Sequence, residues 1–119
     1  MQQKEPIIQP NDTENAFLKN IYAIIDDMID DSQLGASKLA EKSAMSLRTL
    51  NRKLNALIGM TAGDLIRQYR LQKSLVLLKE GLNVSEAAYL VGFETPAYFS
   101  QCFKEQYGVS PKDYFTTAR

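Results

Sequence analysis

The sequence predicts an all-α fold with two helix-turn-helix units joined by a long helix. A pattern of short helix, turn, longer helix with an apolar face and glycine stop occurs twice, within 36–66 and 84–115. A shift of 49 residues places Gly59 on Gly108, whereas the residues before the turn align at a shift of 48. The second turn is therefore one residue longer. An unbroken helical pattern at 62–79 connects the two copies.

The amino-terminal segment has no usable apolar periodicity. Residues 1–14 include two prolines, and we interpret them as a linker or the edge of an expressed fragment. A first helix is predicted at about 13–29, because its apolar residues recur at the spacing of one helical face. Asp12 is its expected N-cap.

Four aspartates lie near the end of that helix, namely Asp26, Asp27, Asp30 and Asp31. The helix dipole disfavours anions at this end. We interpret the cluster as a solvated surface. Paired carboxylates also occur in metal and acid–base sites, and the sequence alone leaves that alternative open.

The first unit is predicted from a short helix at 36–43, a turn at 44–45 and a longer helix at 47–58. Ser46 is the expected N-cap of the longer helix and Gly59 its stop. The inward residues of this helix are Leu47, Leu50, Leu54, Leu57 and Ile58. Its outward polar stripe, at i, i+3, i+4 and i+7, consists of Arg48, Asn51, Arg52 and Asn55.

The second unit repeats this plan with more aromatic residues. Asn83 should cap a helix at 84–90 through a reciprocal pair with the glutamate three residues later. Thr95 should cap a helix at 96–107 that opens on proline, and a final short helix should open at 110–111. The spacing of three aromatic residues marks a core face rather than a base-stacking surface: Phe99, Phe103 and Tyr107. The outward stripe, in register with the first, consists of Ala97, Ser100, Gln101 and Lys104.

The helix between the units would be about 27 Å long if all of 62–79 is helical. Its basic residues Arg67, Arg70 and Lys73 are interpreted as structural or solvated, with phosphate contact as the alternative. The expected division of the chain is subdomain one at 15–59, connecting helix at 60–81 and subdomain two at 82–119.

Composition excludes several kinds of site. The chain has no histidine and one cysteine, Cys102, which removes the commonest general base, the commonest zinc ligand and any internal disulfide. We therefore expect no enzyme activity in this fragment, no metal and no cofactor, and Cys102 is interpreted as a buried bystander rather than a redox thiol. No run of about 18 apolar residues is present, and the start has no signal-peptide pattern. We expect a cytoplasmic protein without membrane contact.

Charge is unevenly distributed along the chain although it sums to zero. Residues 1–33 carry a net charge of −5 and residues 34–119 a net charge of +5. Such asymmetry indicates a polyanionic partner for the basic part. Together with two helix-turn-helix units, it predicts a chain that reads two adjacent stretches of DNA. The dimensions are compatible, because successive major-groove faces lie about 34 Å apart and the width of each unit adds to the length of the connecting helix.

The segment 92–114 carries a family resemblance. Its pattern, GF-x-T-x-x-Y-F-x-x-x-F-K-x-x-x-G-V-S-P-x-x-Y, resembles the signature of the AraC/XylS family of transcription regulators. The resemblance covers residues 15–119. It implies a homeodomain-like fold of seven helices, with two helix-turn-helix subdomains that bind double-stranded DNA through two successive major grooves.

Two segments, LNVSEAAYLVGF and YFSQCFKEQYGVSP, are most similar to C-terminal effector domains of hybrid two-component sensors. In such proteins a histidine kinase and a receiver precede the DNA-binding part. The resemblance therefore implies that sensing and dimerisation belong to upstream domains. It also implies that the promoter-bound domain meets RNA polymerase.

Carried over position by position, the resemblance implies a set of DNA contacts. The base contacts fall on Arg48, Asn51, Arg52, Ala97, Ser100 and Gln101. The phosphate contacts fall on Ser46, Asn55, Thr95 and Lys104. Arginine suits the O6 and N7 of guanine, and asparagine suits the N6 and N7 of adenine. Family members often have arginine in place of Gln101 and lysine in place of Asn55, so we expect the first unit to supply most of the sequence discrimination.

A second function class fits the same pattern. A helical protein-interaction module would also have outward polar stripes, and in it these stripes would be protein-binding or solvated surface. That alternative predicts that Arg48→Ala and Arg52→Ala leave DNA affinity unchanged.

Overall fold

The computed structural model describes the backbone of residues 12–117 and the side chains of residues 15–115. Over that range the chain forms seven helices and no strand: α1 Asp12–Asp27, α2 Ala36–Lys42, α3 Leu47–Ile58, α4 Ala62–Lys79, α5 Val84–Leu90, α6 Pro96–Tyr107 and α7 Pro111–Thr117. The predicted all-α architecture is confirmed. The first eleven residues and the expected capping side chain of Asp12 lie outside the described residues.

The bounds of α1 differ from the prediction at both ends. The helix begins at Asp12, inside the segment interpreted as linker, and it ends at Asp27 rather than at Ile29. The chain then turns through backbone hydrogen bonds from Ile29 to Asp26 and from Asp31 to Met28. Four aspartates at a helix carboxyl end are unfavourable, which favours this early turn.

Side-chain caps define where most of the helices begin. The hydroxyl of Ser46 accepts a hydrogen bond from the Thr49 amide at the start of α3. Equivalent caps come from Thr61, Asn83, Thr95 and Ser110. The predicted capping pair of Asn83 with Glu86 is present. Each cap satisfies an amide that the helix itself leaves unpaired and contributes about 1 kcal/mol.

The apolar residues form two cores that share α4. The first core consists of Ile21, Ile25, Leu34, Leu39, Ala40, Leu50, Leu54, Ala62, Leu65 and Ile66. The second consists of Leu71, Ala88, Val91, Phe93, Phe99, Cys102 and Phe103. Leu47 was expected to face inward, but it is 37% exposed. It is the first residue of α3, where no preceding turn covers it.

Aromatic packing dominates the second core. The ring centroids of Phe99 lie 5.2 Å from Phe93 and 5.7 Å from Phe103. Tyr107 continues the row, 4.6 Å from Phe103, and Tyr114 of α7 closes it at 5.6 Å from Phe103. Tilted and edge-on pairs of this kind are the favourable geometries. The prediction that these residues are core is confirmed, with Phe99 and Phe103 fully buried.

The aspartate cluster includes a residue that fastens α1 to α4. Asp26 forms an ion pair of 3.1 Å with Lys73 and accepts a hydrogen bond of 3.1 Å from the Tyr69 hydroxyl. The hydrogen bond from Lys73, and then that from Tyr69, hold the pKa of Asp26 below its usual value. Asp26 is therefore more than a solvated residue, and Lys73 is structural.

Candidate nucleic-acid interface

The outward stripe of α3 presents two unpaired guanidinium groups. Arg48 and Arg52 lie four residues apart and are exposed. Within the described part of the chain, neither forms an ion pair or a side-chain hydrogen bond. Asn55, one turn further on, is also exposed. The stripe thus offers two cations and an amide whose hydrogen-bonding groups are available to a partner.

Asn51 is placed differently from its expected position. Its side-chain oxygen accepts a hydrogen bond of 2.8 Å from the backbone amide of Ala62, the first residue of α4. The side chain is partly buried at this contact. Asn51 was predicted to pair with adenine, which needs both the oxygen and the amide nitrogen. Because the oxygen is held by α4, the structure assigns Asn51 first to the fold.

The equivalent helix of the second unit, α6, lacks this contact. The residues equivalent to Asn51 and Ala62 are Ser100 and Pro111, and proline has no amide hydrogen to satisfy. Ser100 is half-buried, whereas Ala97, Gln101 and Lys104 are exposed. The α6 stripe therefore presents one cation and one amide to solvent, compared with two cations on α3.

The two hydroxyls predicted to bind phosphate have structural roles. Ser46 accepts from the Thr49 amide at 3.1 Å and donates to the Thr49 hydroxyl at 3.0 Å. Thr95 accepts from the Tyr98 amide at 3.1 Å. Both residues are exposed, and each is the N-cap of a twelve-residue helix. The amino-terminal amides of both helices therefore lie near the surface. Such amides favour anions.

Two exposed residues near these stripes were missed by the sequence reasoning. Leu47 lies at the start of α3, and Tyr98, 48% exposed, lies in the first turn of α6. The Tyr98 ring packs edge-on against Phe93 at 5.8 Å. The periodicity places Leu47 on the inward face and Tyr98 between the outward Ala97 and the inward Phe99, so it predicts neither as an exposed residue. Both could supply apolar contact to a partner.

Three basic residues of α4, Arg67, Arg70 and Lys73, make contacts within the protein. Arg67 pairs with Asp64 of the same helix. Arg70 is 8% exposed and donates a hydrogen bond to the backbone oxygen of Asp31. With Lys73 paired to Asp26, all three are engaged with the protein itself, as the structural interpretation predicts.

Other kinds of site find little support in the described residues. Across 12–117, no three acidic, cysteine or histidine side chains come together in a way that could hold a metal ion. Cys102 is buried in the second core. Over the same range, no helix has both the length and the apolar character needed to cross a membrane.

Two short capped units, each presenting a second helix with an outward polar stripe, define a tandem helix-turn-helix protein. A family model described as a helix-turn-helix domain matches residues 39–117. Histidine kinase P4 of Formosa agariphila is 29% identical over 102 residues, which is 85% of this chain and 7% of that protein.

Two solved structures have the same fold. One is the C-terminal domain of the two-component response regulator yesN from Fusobacterium nucleatum, with a TM-score of 0.76 and 36% identity. The match covers 84% of this chain and 97% of that one. The other is the DNA-binding domain of AdpA, a global transcriptional factor, in complex with a target DNA, with a TM-score of 0.77 and 27% identity over 86% of this chain and 92% of that one.

The chain belongs to the AraC-type helix-turn-helix family of transcription regulators. This confirms the resemblance read from residues 92–114. Its fold and family are those of a DNA-binding regulator domain. The chain spans less than half of the length of the curated relatives it matches.

Proposed function

We propose that the chain binds double-stranded DNA sequence-specifically by inserting α3 and α6 into successive major grooves. The observation that carries this proposal is the pair of reading helices. Both are twelve residues long, both are capped by a hydroxyl side chain, and both occupy the same place in a repeated unit. The longest dimension of the molecule, 41 Å, is sufficient to reach two grooves that lie about 34 Å apart.

The residues on each helix suggest what each would read. Arg48 and Arg52 can each donate two hydrogen bonds to a guanine, and Gln101 can pair with an adenine. Ala97 can contact a thymine methyl group. Ser100 is a smaller donor or acceptor. Since the Asn51 oxygen already accepts a hydrogen bond from Ala62, Asn51 would contribute mainly through its amide nitrogen.

Phosphate contacts would fix the position of the domain on the duplex. Lys104 and Asn55 are exposed and suited to reach the backbone. Ser46 and Thr95 would act mainly by presenting helix amides. The first unit then holds two base-reading arginines and the second holds none, which favours a site with one sharply defined half and one weaker half.

The context of the domain follows from its relatives. One structural relative is the C-terminal domain of a two-component response regulator, and one sequence relative is a much longer histidine kinase. We infer that this domain is the output part of a two-component signalling protein. Dimerisation would come from domains upstream, and the DNA-bound domain would present a surface to RNA polymerase.

The test is selection of bound duplexes from a random DNA pool at moderate salt, followed by sequencing. Two short blocks, about one helical turn or 10 base pairs apart, would support the proposal. The block read by α3 should be the more sharply defined. Weak, salt-sensitive binding with no enriched sequence would favour the alternative, a protein-interaction module.

A further inference from the structure

The two units meet directly at Gly92, in the turn between α5 and α6. Its φ of +94° lies in the left-handed region. A Cβ added at this position would lie 2.1 Å from the backbone oxygen of Ile29 and 2.8 Å from both Nε and Nη2 of Arg70. The backbone conformation and the close approach both require glycine. The turn that follows α1, which belongs to the first unit, thus contacts the turn of the second unit.

Arg70 reaches this contact from α4. Its Nη2 donates a hydrogen bond of 2.8 Å to the backbone oxygen of Asp31. Its Nε is buried and has no hydrogen-bond partner among the described residues. Burial lowers the pKa of this guanidinium, and the charge of Asp31 opposes that effect. A buried cation with an unsatisfied donor is costly, so stability alone is a poor explanation for an arginine here.

Part of the boundary between the units is open next to this junction. A cleft of about 310 Å³ lies beside it. Leu34 and Gly35 line the cleft from the first unit, and Phe93 and Glu94 line it from the second. The open cleft contributes little to opposing rocking of one unit relative to the other. The contacts of Arg70 and Gly92 do oppose it.

The segment that follows α1 contacts the second unit in two ways. The side chain of Ile29 packs against the second core, while its backbone oxygen touches Gly92. Arg70 holds the next turn of the same segment through Asp31. A movement of the second unit away from this segment would have to break both contacts of Ile29.

We propose that Arg70 and Gly92 are positioning residues that fix the orientation of α6 relative to α3. In doing so they set the number of base pairs between the two halves of the DNA site. The part that concerns DNA rests on the proposed function. Neither residue contacts the bases. They act by holding both reading helices in one geometry.

One measurement examines the orientation without DNA. Spin labels are attached to cysteines introduced at Ala56 and Glu105, which are exposed on α3 and α6, in a chain with Cys102→Ala. The distance distribution between the labels is measured by double electron–electron resonance. We expect a single narrow peak in this parent. Arg70→Met, which keeps the packing of the stem, and Gly92→Ala should each broaden or displace the peak.

A second measurement uses duplexes that carry the two selected blocks at the selected spacing and at one base pair more or less. The wild-type chain should lose about tenfold or more in affinity when the spacing changes, since at least one base contact is misplaced. The Arg70→Met and Gly92→Ala chains should lose less than about threefold, or should prefer a new spacing. Binding to each block alone should remain as in the wild type.

Two control variants separate this role from general destabilisation. Lys79→Met removes one positive charge from an exposed position on α4. Gly81→Ala introduces a Cβ at a φ of +105° where no atom lies within 4 Å. Both should keep the narrow label distance and the spacing preference, even if Gly81→Ala lowers the melting temperature.

The outcomes distinguish the two proposals. Unchanged label distances and an unchanged spacing preference in both Arg70→Met and Gly92→Ala would overturn the positioning role and leave the proposed function intact. An equal fall in affinity at every spacing would also overturn it. A wild-type chain that selects no two-block DNA would overturn the proposed function, and with it the role of these residues in spacing.

Discussion

The side-chain oxygen of Asn51 accepts a 2.8 Å hydrogen bond from the backbone amide of Ala62, eleven residues later. This bond connects α3 to the start of the connecting helix α4. In the second unit the equivalent residues are Ser100 and Pro111, and the proline removes the donor altogether. At this junction the first unit satisfies the backbone amide with the Asn51 side chain, whereas the proline of the second unit has no amide hydrogen to satisfy.

The Asn51→Ala substitution should destabilise the protein by about 1–3 kcal/mol, because it leaves the partly buried Ala62 amide without a partner. Urea unfolding followed by circular dichroism measures the change. Asn55→Ala is the control, since Asn55 is exposed on the same helix, and its effect should stay within about 0.5 kcal/mol.

A double-mutant cycle tests the explanation. Ala62→Pro removes the donor at a helix position that accepts proline. In that background Asn51→Ala should cost less, with a coupling energy of about 0.5–3 kcal/mol. Equal costs of Asn51→Ala in both backgrounds would show that the hydrogen bond is not the source of the effect.

Replacing Arg52 by alanine should weaken binding to the selected DNA by about 1–3 kcal/mol and relax the preference at one base position. Fluorescence anisotropy on duplexes that vary at each position measures both effects. The matched control is Lys53→Ala, because Lys53 is the next residue but points towards the Phe17 ring, 5.4 Å from its centroid. Equal weakening on all sequences would make Arg52 a phosphate contact instead.

Replacing Gln101 by arginine should sharpen the weaker half of the site. The substitution adds a bidentate donor to an exposed position on α6, and a guanine preference worth about 1–3 kcal/mol should appear in the block that α6 reads. Duplex selection with the variant measures this. Gln106→Arg adds the same charge on α6 away from the stripe, so a similar gain with that variant would point to charge alone.

Stability should fall in acid through the contact between α1 and α4. The pKa of Asp26 is lowered from 3.8 by its hydrogen bonds with Lys73 and Tyr69 and by the charge of Lys73. A depressed pKa contributes stability above the unfolded-state value and loses it as the pH falls through the folded-state value. The matching rise in the pKa of Lys73 makes its contribution complete at neutral pH and lost only above 10.5.

The corresponding experiment compares melting temperatures from pH 7 to pH 2 for the wild type, Asp26→Asn and Asp27→Asn. The wild type should exceed Asp26→Asn at neutral pH, and the difference should shrink below pH 3.8 and vanish once Asp26 is protonated in the folded state. Asp27→Asn should follow the wild type. Because both partners are about half exposed, the difference should be small and should shrink in high salt.

Local features of the fold could be predicted from the sequence. Each helix cap can be predicted from a few neighbouring residues. The side chains of Ser46, Asn83 and Thr95 accept hydrogen bonds from amides only three residues away. The aromatic row of α6 was also readable, because its residues recur at the spacing of a single buried face. The sequence repeat then predicted that both units have the same order of helices.

The contacts between distant segments could not be predicted. Tyr69 meets Asp26 across 43 positions and Arg70 meets Asp31 across 39. The residues near a side chain in sequence do not indicate which distant carboxylate or carbonyl it will contact. For the same reason the contact of Asn51 with Ala62 could not be predicted, because Asn51 has the phase of an outward residue. Its partner lies beyond the glycine that ends its own helix.

The connecting helix α4 contributes Ala62, Leu65 and Ile66 to the first core and Leu71 to the second. The boundary between the two units therefore lies within helix α4 and not in a loop. A chimera that exchanges reading units between two relatives should be joined inside this helix, after Ile66 and before Leu71, rather than in the turns that flank it. The choice of joint would also decide which parent supplies Arg70, and the segment carrying Gly92 should come from the same parent.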